Sequence, residues 1–254
     1  MEVNINTLKN PRLRLGATLW LLAMIGVVVL ALTVLPQLLT KSPKQVSLTL
    51  AIIGTVVQLG VLLLLAVWIG VVLSKPLGLG APAIETALSG SAAWPVLKHQ
   101  FLPAVIVGIM SGGVLLLAQR MAPAELLALG QTMEIPLAAK VLYGGVTEEV
   151  LMRWGLMTSL IWFPWRFVQK KSNLPRNSYV IGAILVAAML FGVGHLPAAV
   201  ALGVSLTAPV VAFIIIANSL PAILFGCLYW RYGIEAAIIA HALAHVAGVL
   251  IPAV

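Results

Sequence analysis

Three ionisable side chains lie close together inside one long apolar run. Glu148, Glu149 and Arg153 all fall in the segment 144–153, which apolar residues surround on both sides. An ionisable group at the centre of a membrane helix costs about 2.5–3.5 kcal/mol on insertion scales. Because such residues are retained mainly where they are paired or functional, the cluster indicates a functional site.

The spacing within this cluster predicts different roles for the two glutamates. Residues four apart lie on one face of an α-helix, so Glu149 and Arg153 can form an ion pair. Glu148 points about 100° away from Glu149 and is left free to face a cavity. Gly144 and Gly145, one turn earlier, allow another helix to approach closely. The pattern predicts a pair that supports the site beside a carboxylate available for chemistry.

Three histidines follow on two later apolar segments. Phe191 and His195 share one helix face, and the two glycines between them leave room for another backbone or a substrate. His241 and His245 also share a face, a spacing that suits metal ligation or two donors converging on one group. The pair lacks the glutamate of the H-E-x-x-H zinc motif. Taken singly, each histidine could equally serve helix packing.

Together, these groups predict a polar chamber that holds water between hydrophobic helices. A carboxylate can act as a general base toward water, and a histidine can orient or share the proton. Further histidine donors can stabilise an oxyanion. No Ser or Cys lies in a convincing nucleophile setting, so the pattern favours attack by water over a covalent intermediate.

The elements that must position these groups are apolar segments long enough to cross a bilayer, which takes about 20 helical residues. We predict seven spans, at 17–39, 46–73, 100–120, 136–163, 179–200, 208–228 and 233–252. An eighth requires the stretch 81–97 to enter the membrane, although its Pro and Gly residues favour a loop with a short interfacial helix. The predicted fold is an all-α, polytopic transmembrane helical bundle with a buried polar site.

The polar groups divide the chain into two regions. Residues 1–135 form an N-terminal transmembrane region of three spans plus loops, and residues 136–252 form the core that carries the chemistry. The first two spans contain almost no polar side chains, so we expect them to act as scaffold or lipid-facing anchor. The first apolar run is too long for a typical signal peptide, so we interpret it as a retained span.

Loop charge predicts the orientation. Lys9, Arg12 and Arg14 precede the first span, and four cations lie in the segment 164–177. Cytoplasmic loops carry an excess of Lys and Arg, so the N-terminus is expected in the cytoplasm, with the protein in the cell (plasma) membrane.

The composition excludes several classes of protein. Of the 254 residues, 61% are hydrophobic and 9% are charged, against about 25% charged in soluble domains. The net charge of +8 comes from cations in short segments between apolar runs, with no basic face carrying interleaved aromatics. We therefore predict the lipid bilayer as a partner and no nucleic acid. The single Cys227 excludes an internal disulfide.

The three polar segments resemble the CPBP family of intramembrane endopeptidases, which includes the type II CAAX prenyl endopeptidases and bacteriocin-processing or self-immunity proteins. The family motifs E-E-x-x-x-R, F-x-x-x-H and H-x-x-x-N appear here in that order as Glu148-Glu149-x-x-x-Arg153, Phe191-x-x-x-His195 and His241-x-x-x-His245. The resemblance covers about residues 136–252, which identifies this region as a CPBP-like peptidase core. The first three spans match the family only in being hydrophobic.

The resemblance implies a role for each matching residue. Glu148 would activate the attacking water with help from His195. Glu149 would hold the polar network, and Arg153 would anchor Glu149, with Phe191 supporting the site.

It also implies an oxyanion hole formed by His241 and the residue four positions later. There the chain departs from the family, which usually has Asn where this chain has His245. A neutral histidine still donates one hydrogen bond. The substitution also leaves a set of one glutamate and three histidines for a divalent metal ion such as zinc. The expectation is no cofactor, with that ion bound by Glu148, His195, His241 and His245 as the alternative.

The function implied is hydrolysis of a peptide bond at or within the bilayer, by a CPBP-type endopeptidase that depends on glutamate. The substrate would be a peptide or a membrane protein, prenylated or not. One alternative is a non-catalytic immunity or peptide-binding factor that keeps the motifs as a binding cradle. Another is a proton-coupled transporter, since buried Glu and His can relay protons. Against a transporter, the chain has no paired interrupted helices in two related halves.

Overall fold

The structure is a computed structural model that describes residues 10–41, 46–132 and 135–250. Every regular element within these ranges is a helix, which confirms the predicted all-α class. Lys9, used above for orientation, and residues 251–252 of the predicted core lie outside them.

The first half of the chain contains three long helices and several short ones. They are α1 (Pro11–Thr33), α2 (Leu35–Lys41), α3 (Leu48–Leu73), a 3₁₀ turn (Lys75–Leu77), α4 (Pro82–Leu88), α5 (Trp94–Met121) and α6 (Ala124–Thr132). The second half begins with a segment of mixed helix type: α7 (Leu137–Ala139), π1 (Lys140–Glu148), π2 (Val150–Met157) and α8 (Thr158–Phe167). The remaining helices are α9 (Asn177–Gly194), α10 (Leu196–Ala201), α11 (Ala208–Tyr232) and α12 (Ile234–Leu250).

Five helices in the described part of the chain are long and apolar enough to cross a membrane. They are Pro11–Thr40, Leu48–Leu73, Trp94–Met121, Asn177–Ala201 and Ala208–Tyr232, and they coincide with five of the predicted spans. At most 39% of the residues in each apolar window are buried. Most of each window therefore faces outward, which suits a lipid environment and not water. The protein is an integral membrane protein.

The other two predicted spans coincide with less regular helices. One is α12, which has 17 residues. The other is the segment from Leu137 to Phe167, which its π geometry divides into shorter pieces. That these two segments also cross the membrane stays a prediction.

Residues 140–157 form an almost continuous π-helix, in which the backbone bonds five residues back instead of four. Two side-chain hydrogen bonds also reach five residues back. Thr147 Oγ1 donates to the Leu142 carbonyl at 3.3 Å, and Thr158 Oγ1 donates to the Arg153 carbonyl at 3.1 Å. π-Helical turns are rare and frequently lie at functional sites. The predicted span is helical, but its polar part has a wider turn than the α-helix assumed from the spacing.

α1 and α3 pack directly on this wide helix. Thr147 Oγ1 also lies 2.6 Å from the Ala23 carbonyl of α1, and a Cβ on Gly26 would overlap the Thr147 side chain. On α3, a Cβ on Gly70 would overlap the indole of Trp154 in π2. The first two spans, predicted to be scaffold, therefore hold the segment that carries Glu148.

α12 packs along α5 through small residues. A Cβ on Gly108 would lie 2.8 Å from Leu243 Cβ, and one on Gly112 would lie 2.7 Å from Ala247 Cβ. Such small residues let two membrane helices approach closely. The contact fixes α12 on the side of the bundle that faces π1.

The segment between α3 and α5 contains the short helix α4, as the sequence predicted. Its N-terminus is held by α12: Glu235 Oε1 accepts a hydrogen bond from Ile84 N at 2.9 Å. Glu235 Oε2 accepts one from Gln100 Nε2 at 3.2 Å, and the same nitrogen donates to the Tyr232 carbonyl at 2.7 Å. Glu235 is therefore a buried carboxylate with partners on both oxygens.

Candidate active site

Glu149 lies at the centre of a buried polar cluster. Its Oε1 accepts a hydrogen bond from Arg153 Nη1 at 2.9 Å and lies 2.8 Å from His241 Nδ1. An ionised carboxylate only accepts hydrogen bonds, so His241 carries a proton on Nδ1. The Glu149–Arg153 ion pair predicted from the spacing is confirmed, with the two residues 0% and 2% exposed.

Arg153 joins three elements of the core. Its Nη2 donates to the Ala222 carbonyl of α11 at 2.8 Å. The guanidinium carbon lies 5.3 Å from the ring centroid of Phe191 and 5.6 Å from that of Phe225. Cations are attracted to aromatic faces at such distances. Arg153 thus ties π2 to α9 and α11 while it neutralises Glu149.

A cavity of about 500 Å³ opens beside this cluster. Much of its lining is apolar, with Leu30, Val34, Leu38, Leu190 and Leu202 among the residues. The polar residues that line it are Lys140, Tyr143, Glu148, His195, Asn218, His241 and His245. An apolar pocket with a few convergent polar groups is the usual form of a small-ligand or catalytic site.

Glu148 faces this cavity, whereas Glu149 lies behind the wall. Glu148 is half-buried and hydrogen-bonds to no other residue in the described ranges. Its carboxylate is therefore available to water or a substrate, while the carboxylate of its neighbour is held by Arg153 and His241.

The hydrogen bond of His195 defines its tautomer. His195 Nδ1 lies 2.8 Å from the Phe191 carbonyl oxygen, which can only accept, so Nδ1 carries the proton. In the neutral ring Nε2 then has a lone pair. The Phe191 ring packs edge-on against the imidazole, with centroids 4.7 Å apart. The predicted F-x-x-x-H pair therefore orients His195 through both a carbonyl and a ring.

His241 and His245 stack on one another, with ring centroids 4.9 Å apart. Phe225 stacks on the other face of His241 at 4.6 Å. His245 forms no hydrogen bond to the part of the chain that the structure describes, so either ring nitrogen can carry its proton. A Cβ on Gly144 would lie 2.7 Å from His245 Nε2. Gly144 therefore gives His245 room beside π1, as predicted for this glycine pair.

Across the described ranges, no group of three or more His, Cys, Asp or Glu side chains is placed to hold a metal ion. The predicted ligands Glu148, His195, His241 and His245 line one cavity. The metal-free expectation and the alternative of a bound divalent ion both stay predictions.

The family comparison agrees with this geometry. Residues 131–247 match the family model described as Type II CAAX prenyl endopeptidase Rce1-like. This segment of the chain is therefore similar to that family. A search of curated proteins and a search of solved structures each gave no match. The matched range begins just before α7 and ends within α12, so it contains every polar residue of the cavity wall named above.

The Rce1-like segment brings the predicted site residues together. Glu148, His195, His241 and His245 line the cavity, Phe191 lines it beside His195, and Glu149 and Arg153 lie directly behind. The similarity over residues 131–247 supports a membrane protease as the kind of protein described here.

Other residues around the cavity could not be found from the sequence motifs. Phe225 and the Ala222 carbonyl belong to α11, which carries none of the three motifs. Tyr143 and Asn218 line the cavity without any motif to mark them. The one available signal for Asn218 is a polar residue in an apolar span, which favours helix packing or the bridging of a kink at Pro221.

Proposed function

We propose that this protein is an intramembrane endopeptidase that hydrolyses a peptide bond with water activated by Glu148 and His195. The observation that supports the proposal best is the contrast between two adjacent carboxylates. Arg153 and His241 both hydrogen-bond to Oε1 of the buried Glu149, whereas Glu148 lines the cavity without a hydrogen-bond partner among the described residues. A membrane protein retains such a group at a cost of about 2.5–3.5 kcal/mol, which a role in chemistry explains.

In the proposed reaction Glu148 removes a proton from a water molecule as that water attacks the scissile carbonyl. His195 Nε2, which bears a lone pair in the tautomer set by Phe191, accepts a hydrogen bond from the same water. The proton held by Glu148 then passes to the leaving amine as the carbon–nitrogen bond breaks. General base catalysis of this kind contributes roughly 10²–10⁴-fold to a rate.

We propose His245 and His241 as the oxyanion donors. His245 can donate in either neutral tautomer because neither ring nitrogen is engaged by a described residue. His241 uses Nδ1 for Glu149, so it donates from Nε2 when the ring is doubly protonated. His245 thereby takes the place of the asparagine usual in the family.

The proposed membrane arrangement has seven spans with the N-terminus in the cytoplasm of the cell. α12 has 17 residues, a length of about 25 Å, close to the ~30 Å core of a bilayer. α4 has seven residues, about 10 Å, which is too short for an eighth span. With seven spans, Arg166, Lys170 and Lys171 fall on the cytoplasmic side, as the charge rule requires.

The proposed substrate is a peptide or membrane-protein segment that enters the cavity from the bilayer. The apolar lining residues, among them Leu30, Val34 and Leu38, suit apolar side chains or a prenyl chain, and the polar lining residues suit the main chain. The family description names a CAAX prenyl endopeptidase. A farnesylated CAAX peptide is therefore the first substrate to test.

The test is cleavage of a quenched, farnesylated CAAX peptide and its unprenylated counterpart by purified protein in liposomes. We expect a single endoproteolytic cut, identified by mass spectrometry, and the same rate with a chelator present. If neither peptide nor a random peptide library is cleaved by folded protein, the endopeptidase proposal is wrong. Peptide binding without cleavage would favour the immunity or peptide-binding factor.

A further inference from the structure

Two neighbouring polar residues of α11 differ in their partners. Ser219 Oγ donates to the Ala188 carbonyl of α9 at 2.9 Å, which joins the two helices. Asn218 Nδ2 donates to the Ile214 carbonyl of its own helix at 2.8 Å, and the Asn218 side chain lines the cavity. Of these two residues, only Ser219 hydrogen-bonds to another helix in the described ranges.

Asn218 keeps unused hydrogen-bonding capacity toward the cavity. A carbonyl can only accept, so the amide nitrogen of Asn218 must face Ile214, and its oxygen Oδ1 is the other end. Oδ1 and the second N–H bond to no residue in the described ranges. At membrane depth, such unsatisfied groups are tolerated where they line a water-filled cavity.

Pro221 places a second acceptor beside Asn218. Proline has no N–H, so the carbonyl of Ala217 lacks its usual helical donor four residues later. Ala217, Asn218 and Pro221 all line the cavity. Within one turn, the cavity wall thus contains two hydrogen-bond acceptors and one spare donor, a set that matches the alternating amide groups of a peptide main chain.

We infer that Asn218 is a substrate-positioning residue that binds the main chain of an extended peptide in the cavity. Oδ1 accepts from a substrate N–H, and the spare amide N–H donates to a substrate carbonyl. The Ala217 carbonyl accepts from a second substrate N–H. The inference rests on the proposed function, because that function makes a peptide the ligand of the cavity. It concerns peptide binding, however, which can be measured without turnover.

The experiment measures binding of a fluorescein-labelled, farnesylated CAAX peptide by anisotropy. The protein is the full chain carrying Glu148→Gln, purified in detergent, so that the peptide is not consumed. A series of peptides, each methylated at one main-chain nitrogen, removes one donor at a time. We expect methylation at one or two positions to weaken binding about tenfold, and methylation elsewhere to have little effect.

The variant Asn218→Leu, added to the same background, tests the residue itself. We expect it to bind the parent peptide about tenfold more weakly, and the penalty at one methyl-sensitive position to disappear. Ser219→Ala is the matched control, since it removes the neighbouring hydroxyl that faces α9, and it should bind all peptides as the background protein does. The methylated peptides also probe the contact in protein whose Asn218 is intact.

Three results would overturn the inference: no main-chain position sensitive to methylation, a penalty that persists fully in Asn218→Leu, or no binding of the parent peptide by folded protein. The proposed function fails separately. If wild-type protein never cleaves the peptide but binding depends on Asn218 as described, the positioning role stands and the endopeptidase proposal falls.

Discussion

Glu148 and Glu235 are two carboxylates set into the same hydrophobic bundle, and they differ in what surrounds them. Glu235 Oε1 accepts from Ile84 N at 2.9 Å and Oε2 from Gln100 Nε2 at 3.2 Å. Glu148 faces a cavity of about 500 Å³ beside His195 and has no hydrogen-bond partner among the described residues. One carboxylate is used to hold α4 on α12, and the other is available to a ligand.

The difference teaches that burial alone does not mark a functional carboxylate. Glu235 is 6% exposed, which is less than the half-buried Glu148. A buried group whose lone pairs are all taken by protein donors stabilises the fold, since an unsatisfied buried group costs about 1–3 kcal/mol. A carboxylate whose lone pairs are free toward a cavity is instead available to water or a ligand. The predictions below test this division.

The largest expected effect on stability is that of Arg153→Met. The substitution leaves Glu149 buried without its cation, and breaking a buried pair from one side costs about 3–5 kcal/mol. We expect a strongly lowered free energy of unfolding in detergent and no detectable cleavage. Arg166→Met, at the end of α8, is the control and should unfold like wild type. If Arg153→Met unfolded at the wild-type denaturant concentration, the buried cluster would not support the site.

Glu235→Gln should reduce stability without reducing the chemistry. The new amide can still accept from Ile84 N but presents a donor to Gln100 Nε2, so we expect a loss of about 1–3 kcal/mol. Denaturant unfolding measures the loss, and kcat for the farnesylated peptide should stay within about twofold at a temperature where the variant is folded. A large fall in kcat with unchanged stability would place Glu235 in the active site. That result would contradict the division between a structural Glu235 and a catalytic Glu148.

Gly144→Ala should act on the site through His245. The added Cβ would lie 2.7 Å from His245 Nε2, so the imidazole must move away from the wall. We expect kcat to fall about tenfold, less than the roughly 10²–10³-fold loss for a removed oxyanion donor, because His245 is displaced and not removed. Gly113→Ala on α5 is the matched control because a Cβ there meets no atom within 4 Å. Equal activities for both variants would remove His245 from the proposed oxyanion hole.

A chelator should have no effect. The cavity histidines and Glu148 are not placed to hold a metal ion, so treatment with EDTA followed by metal-free buffer should leave the cleavage rate unchanged. Activity that disappears with the chelator and returns with zinc would instead support the metal site that the sequence left open.

Much of the site was predictable because its key contacts are local or follow known motifs. The Glu149–Arg153 pair follows from a four-residue spacing, and the room beside Gly144 follows from a missing side chain. The grouping of the three motif segments came from the family resemblance, which the match over residues 131–247 confirms.

The remaining features depend on packing that no local pattern contains. The π geometry of residues 140–157 comes with packing against α1 and α3, not with a recognisable sequence signal. The role of Glu235 depends on Ile84, which is 151 residues away in the chain. Asn218 and Ser219 are adjacent polar residues in one span, and only their directions in the folded bundle separate a cavity wall from a helix contact.

The most direct test of the central claim is kcat of Glu148→Gln for the farnesylated peptide in liposomes, measured together with its unfolding midpoint. If Glu148 is the free general base, kcat should fall roughly 10²–10⁴-fold. The midpoint should stay at the wild-type value because no described residue depends on that carboxylate. A folded Glu148→Gln protein that cleaves the peptide at the wild-type rate would contradict the account.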